Sequence, residues 1–402
     1  MTTTYLSKRV LSIAPSPSIA ANALVAKLRA EGRDIVNFTV GEPDLDTPAH
    51  ILDAASKAMT GGDTHYTSTL GTPALREAIV TKLSRDNGLD YSVDEVVAGT
   101  GGKQIIFEAL AATLNPGDEV IVHTPYWVSY PDITKLSGGT PVVIEGHEEN
   151  GFKLTAAELA QAITPKTKWL ILNSPNNPSG AVYTLDELKA IAQVLRDHPH
   201  VLMMSDEIYE HFVYGGKSHI SFVTAAPDLK DRILIINGAS KGYAMTGWRL
   251  GFGAGPKWLI AAIGKLLSQS TTCPSSISQA AAVAAFAGNQ TPVKAMASLY
   301  EARRDLMTGL LGEVPGLSHT SPDGAFYVFV NVEGLIGKKT PNGSLLSTDA
   351  DVVHFWLEEA GVATVLGEAY GISPYVRLSF ASGDQVIREG CARLRKACES
   401  LS

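Results

Sequence analysis

The sequence predicts an α/β protein: helices on both faces of a mostly parallel, seven-stranded sheet, followed by a smaller α/β domain. Three observations carry this. Between residues 48 and about 288, short apolar runs alternate with amphipathic helical patterns, the mark of a doubly wound sheet covered on both faces. After residue 291 the pattern changes to one long charged helix and then shorter strands. At 402 residues and 45% hydrophobic, the chain is long enough for two or three domains and apolar enough to fill them.

The first element pair is SIAANALVAKLRAEGRDIVNFTV (18–40), one helix and one strand. It is short for an independent core, so residues 1–47 are expected to form an N-terminal arm and part of the small domain. In a large domain over 48–290, strands are expected at 95–99, 119–123, 141–144, 168–172, 201–204, 232–236 and 249–254, with helices such as 73–85 and 185–196 between them. The small domain, 291–402, opens with the helix PVKAMASLYEARRDLMTGLL and continues with the strands AFYVFV and YVRLSF.

A net charge of -8 argues against nucleic acid or an anionic membrane as partner, since both select a basic surface. Cys273, Cys391 and Cys398 make no metal-ligand pattern, so no metal is expected, and an odd, sparse set suits a reducing compartment. The start MTTTYLSKRVLSIAPSPS has no long apolar run behind a basic stretch, and no segment reaches the roughly 18 apolar residues of a membrane helix. A cytoplasmic location is expected.

Ligands of open α/β sheets gather at the carboxyl ends of strands, and four strands here end in unusual residues. GTGGKQ (99–104) is a glycine turn entering a helix, which offers backbone N–H groups to a phosphate or merely starts the helix. Asp206, in SDEIY, ends an apolar strand where a carboxylate needs a partner: a protonated pyridine nitrogen, a helix terminus or an ion pair. Tyr209 points at the same ligand or fills the core. Lys241 follows a glycine-containing turn, where an apolar site would free its amine, unless it is a solvated surface lysine. Arg249, eight residues on, suits a bidentate phosphate clamp or a surface ion pair. Taken together, these groups describe a planar, aldehyde-bearing, phosphorylated ligand with a basic ring nitrogen, which is pyridoxal 5′-phosphate.

The stretches GEPDLDTP, HYTSTLGTPALREAI, GTGGKQ, TPYWVSY, NSPNNPSG, SDEIY, SKGYAMTGWRLG and YVRLSF run in order from Gly41 to Phe380. In them the chain resembles the class I aminotransferases of pyridoxal-phosphate fold type I, bacterial aspartate aminotransferase subgroup. The resemblance implies that Lys241 forms the Schiff base and then carries the proton of the 1,3-shift, and that Asp206 keeps the pyridine nitrogen protonated. It implies that Asn177 and Tyr209 donate to the ring 3′ oxygen and that Trp127 stacks on the ring. Gly101, Gly102, Ser240 and Arg249 form the phosphate cup, and Tyr66 crosses to the partner subunit's phosphate. Arg377, with the Gly41 backbone, grips the substrate α-carboxylate. Lys103, beside the cofactor, meets a distal carboxylate, while Trp127 and Asn177 face the substrate as well as the cofactor. Many relatives carry Ser-x-Ser-Lys where this chain has Gly238 in the first position, so one phosphate hydroxyl is missing or supplied elsewhere.

An aminotransferase using aspartate and 2-oxoglutarate is therefore the expected function, working as a homodimer with shared active sites. An aromatic or prephenate aminotransferase is the nearest alternative, since the resemblance is to a subgroup whose members combine carboxylate and ring substrates in one pocket. A pyridoxal-phosphate lyase or synthase shares the cofactor residues and differs only on the substrate side. A regulatory module fused to a DNA-binding domain fits poorly with the acidic chain.

Overall fold

The computed structural model describes residues 5–15 and 17–402; residues 1–4 and 16 of the expected N-terminal arm lie outside the described residues. After a short strand β1 (Val36–Asn37) come seven strands of one sheet. They are β2 (Val96–Gly99), β3 (Glu119–His123), β4 (Thr140–Ile144), β5 (Thr167–Asn173), β6 (Leu202–Asp206), β7 (Ile233–Gly238) and β8 (Gly251–Ala254). Their order is β2-β8-β7-β6-β5-β3-β4. The pairs from β7 to β4 are parallel, and β8 runs against both β2 and β7. Every residue of β2, β6, β7 and β8 is buried, because helices cover both faces, and this is why these strands read as continuous apolar runs.

The covering helices form where the sequence caps them. At the helix Leu185–Asp197, the Thr184 hydroxyl accepts from the Glu187 N–H and the Glu187 carboxylate accepts from the Thr184 N–H, while Leu188, Ile191, Ala192 and Leu195 make the buried stripe. The helix Pro73–Asn87 starts with the Thr72 cap and a proline in its first turn, and stops at Gly88, whose φ of 65° glycine adopts without strain.

Three of the seven expected strands run further at their carboxyl ends than the apolar runs suggested, and each of these extensions carries a polar side chain. β5 continues to Asn173, β6 through Ser205 to Asp206, and β7 to Asn237 and Gly238. The strand expected from 249 starts instead at Gly251, because Arg249 sits in the left-handed region at φ 53° and cannot join a ladder there.

The remainder of the chain holds β9 (Ser318–His319), β10 (Tyr327–Asn331), β11 (Val362–Ala363), β12 (Val365–Leu366) and β13 (Tyr375–Ser379). Four of them form an antiparallel sheet in the order β12-β13-β10-β9; the helix Thr291–Leu311 packs against β10, and the helix Asp384–Glu399 packs on that helix and on β1 and β11. β1 pairs in parallel with β11, Val36 opposite Val362, so the N-terminal strand joins the C-terminal part of the chain. Phe38, Tyr300, Val376 and Leu394 share the core of this part, separate from the cores on the two faces of the large sheet. Among the described residues no helix is long and apolar enough to cross a membrane.

Candidate active site

The carboxyl ends of β5, β6 and β7 open into a cavity of about 700 Å³, closed on the opposite side by β10, β13 and the segment after β1. That volume suits a ligand of several hundred daltons. Gly41, Gly102, Lys103, Trp127, Asn177, Asp206, Tyr209, Ser240, Lys241, Arg249 and Arg377 all line it.

Asp206 is the last residue of β6 and is 5% exposed. Burial raises its carboxyl pKa from 3.8 to about 6, even though the Tyr130 hydroxyl donates to Oδ2 at 2.6 Å and the Ile208 N–H to Oδ1 at 3.3 Å. An ionised Asp206 here is short of a cationic partner. Tyr130 escaped the sequence reading although it lies in the TPYWVSY motif; its ring meets that of Trp127 edge to face, with the centres 5.3 Å apart.

Lys241 lies on the turn after β7, and its Nζ donates to the Gly41 carbonyl. Burial lowers its pKa to about 8, with Glu42 pulling the other way and Arg377 and Arg249 adding to the fall. The turn needs its small residues. A Cβ on Gly242 would stand 2.2 Å from the His211 ring, and one on Gly238 would stand 2.7 Å from the Gly251 Cα and 2.9 Å from the Leu250 carbonyl. The close β7–β8 pairing thus leaves no room for a hydroxyl at position 238.

Beside Lys241, the 12-residue helix Gly102–Thr113 points its N-terminus at the cavity, the arrangement that favours an anion. Gly101 precedes it at φ 95°, and a Cβ there would lie 2.5 Å from Arg249 Nη2, so the glycine lets the guanidinium settle on the turn. Arg249 donates to the Thr246 and Thr100 carbonyls at 2.8 and 3.3 Å. Lys103 is exposed overall, but its ammonium leans 4.7 Å over the Trp127 ring, where loss of water and the Arg249 charge lower its pKa.

At the other end, Arg377 in β13 is 2% exposed and donates to Asn177 Oδ1 at 3.1 Å and to the Thr39 carbonyl at 2.7 Å. Its Nε is buried without a partner among the described residues. A guanidinium fixed on two acceptors and lining a cavity is suited to a carboxylate. Tyr209 is buried, with its hydroxyl 2.9 Å from that of Tyr327, a second residue that the sequence reading did not single out within the strand AFYVFV. Tyr66 stands apart from the cavity of its own chain and is 88% exposed.

This set fits pyridoxal 5′-phosphate: a desolvated carboxylate for a ring cation, an amine of lowered pKa for an aldehyde, and a helix N-terminus with a guanidinium for a phosphate. Fold and site together define a fold type I enzyme. The chain belongs to the aminotransferase class I and II family, whose model matches residues 33–394 and whose members use pyridoxal phosphate. It is 48% identical over 398 residues to the aspartate/prephenate aminotransferase of Cereibacter sphaeroides, covering 99% of this chain and 100% of that protein. Among solved structures, it matches the aspartate aminotransferase of Rhizobium meliloti with a TM-score of 0.96 at 46% identity, over 99% of both chains. It also matches the aspartate aminotransferase of Thermus thermophilus with maleate, with a TM-score of 0.91 at 40% identity, over 98% of this chain and 99% of that one.

Proposed function

We propose that the chain holds pyridoxal 5′-phosphate through Lys241 and transfers the amino group of aspartate to 2-oxoglutarate. The observation that carries this reading is a desolvated carboxylate, Asp206, facing the same cavity as a lysine of lowered pKa, Lys241, and a buried arginine fixed on two acceptors, Arg377.

When bound, the cofactor supplies the electron sink for the electrons released at the substrate Cα. Asp206 holds a proton on the ring nitrogen, and Tyr130 holds Asp206. Asn177 and Tyr209 donate to the ring 3′ oxygen, and Trp127 covers one ring face. Gly101, Gly102, Ser240 and Arg249 take the phosphate, with position 238 contributing no hydroxyl. Arg377 and the Gly41 backbone orient the α-carboxylate, which points the Cα–H bond at Lys241. With a pKa near 8, Lys241 Nζ is partly neutral at pH 7–8, so it accepts that proton and returns it.

Lys103 takes the distal carboxylate of a dicarboxylic substrate. A second reading, with an aromatic or prephenate acceptor, draws support from the Lys103 ammonium lying over the Trp127 ring, which sets a cation and an aromatic face side by side. The name of the Cereibacter relative points the same way. Tyr66, standing in solvent on an isolated chain, suits a homodimer in which it reaches the partner's phosphate. A division into an arm at 1–47, a large domain at 48–290 and a small domain at 291–402 accords with the separate sheets and the β1–β11 pair.

A steady-state panel of amino donors with 2-oxoglutarate, oxaloacetate and prephenate tests the reading. Aspartate with 2-oxoglutarate is expected to give the highest kcat/KM. A higher value for tyrosine, phenylalanine or prephenate replaces it with the second reading, and no transfer from any donor removes both.

A further inference from the structure

We infer that Tyr327 is a positioning residue for this reaction, joining the carboxylate grip of Arg377 to Tyr209 through one phenol–phenol hydrogen bond; the inference rests on the proposed cofactor reading. In the β10–β13 ladder Tyr327 faces Ser379 and Phe329 faces Arg377, so Tyr327 and Arg377 are diagonal neighbours on one face. The Arg377 guanidinium lies 4.3 Å from the centre of the Tyr327 ring. At the ring's other end the hydroxyl lies 2.9 Å from that of Tyr209 and borders the cavity near Gly41.

Distance alone allows either phenol to donate. Electrostatics selects one. Burial raises the Tyr327 pKa and the Arg377 guanidinium, directly over its ring, works against that rise, whereas the cation over the Tyr209 ring, Lys241, stands further off at 5.8 Å. In a neutral pair the more acidic phenol is the better donor, so Tyr327 donates to the Tyr209 oxygen. The Tyr209 proton is then free to point into the cavity at the cofactor's 3′ oxygen, and the two bonds in series polarise each other. Space filling alone does not call for this hydroxyl, because the flanking Phe326 and Phe329 fill the same sheet with plain rings.

The test is a spectroscopic pH titration of the cofactor band in the holoenzyme, comparing wild type with Tyr327→Phe, which removes one hydroxyl and keeps a ring under Arg377. The midpoint is expected to rise by about 0.5–1 pH unit, because a weaker Tyr209 donor holds negative charge on the ring oxygen less well. KM for the amino donor should change by less than about twofold, since a phenyl ring serves the guanidinium almost as well. In a Tyr209→Phe background the same substitution should add no further shift. An unchanged midpoint in Tyr327→Phe, or an equal shift with the Tyr209 hydroxyl already removed, overturns the inference while leaving the cofactor reading intact. A wild-type protein with no titrating cofactor band overturns both.

Discussion

The Tyr130 hydroxyl donates to the Asp206 carboxylate across 2.6 Å, and both groups are buried at the end of β6. Burial and the Asp206 charge push the Tyr130 pKa well above its ordinary value, so the phenol stays a donor at any pH the protein survives. One neutral donor does not offset the loss of water, and the Asp206 pKa remains raised to about 6.

That residual cost predicts a stability effect in the cofactor-free protein. The folded pKa of Asp206 exceeds its unfolded value of 3.8, so the folded state binds the proton more tightly and stability falls as pH rises from about 4 to about 6. Above that window the penalty is on the order of 2–3 kcal/mol. Asp206→Asn should therefore raise the urea midpoint of the cofactor-free protein at pH 7.5, with the gain disappearing near pH 4, while transamination falls by orders of magnitude. A lower midpoint at pH 7.5 would mean that Asp206 is not under strain.

Lys103 should act on one class of substrate. Losing a charge-assisted hydrogen bond costs about 1.5–3 kcal/mol, roughly a ten- to hundredfold drop in kcat/KM. Lys103→Met is expected to impose that drop on aspartate and glutamate and to spare phenylalanine and tyrosine. A uniform loss across donors would place Lys103 in cofactor positioning instead.

The homodimer reading predicts that Tyr66→Phe weakens cofactor retention more than it slows turnover of the loaded enzyme. Dialysis followed by cofactor quantitation, beside sedimentation at micromolar concentration, checks both parts. A fully active monomer would contradict them.

Behind the site, Lys82 and Glu210 form an ion pair in which both side chains are almost wholly buried, and Asn87 and Asn237 also donate to the Glu210 carboxylate at 2.8 Å. Burial acts to raise the Glu210 pKa, but Lys82 and the neighbouring histidines hold it far below the usual carboxylate range. Lys82→Met should cost about 3–5 kcal/mol in urea unfolding, because it strands a buried charge. Adding Glu210→Gln should return at least half of that loss, since it removes the stranded charge, keeps one oxygen for Asn237, and turns an NH2 toward Asn87, whose Oδ1 is released by the loss of Lys82.

Much of this architecture was legible in the sequence, because a sheet covered on both faces writes its strands as apolar runs. The run at 119–123 coincides with β3. The polar ends of β5, β6 and β7 were harder to read, and for a physical reason: all three residues stay in or beside the ladder, Asn173 and Asp206 turning polar groups toward the site and Asn237 turning its amide to Glu210 behind it. Nor does an apolar run tell direction, so the antiparallel course of β8 left no mark. In the site, the glycines, Asp206, Lys241 and Arg249 stood out because charge or backbone freedom after a strand is unusual, whereas Arg377, in the middle of β13, was marked only by the family resemblance. Tyr130 and Tyr327 did not, because a tyrosine in an apolar stretch reads as core until its hydroxyl has a partner.

Whether Lys241 carries the cofactor is tested most directly by borohydride reduction of the pyridoxal-phosphate-loaded protein, followed by peptide mapping. A pyridoxyl group on the peptide containing Lys241, and none in Lys241→Ala, is the expected result, together with a fall in turnover of several orders of magnitude in that variant. A label on any other lysine of the wild type, or no label at all, would contradict the account.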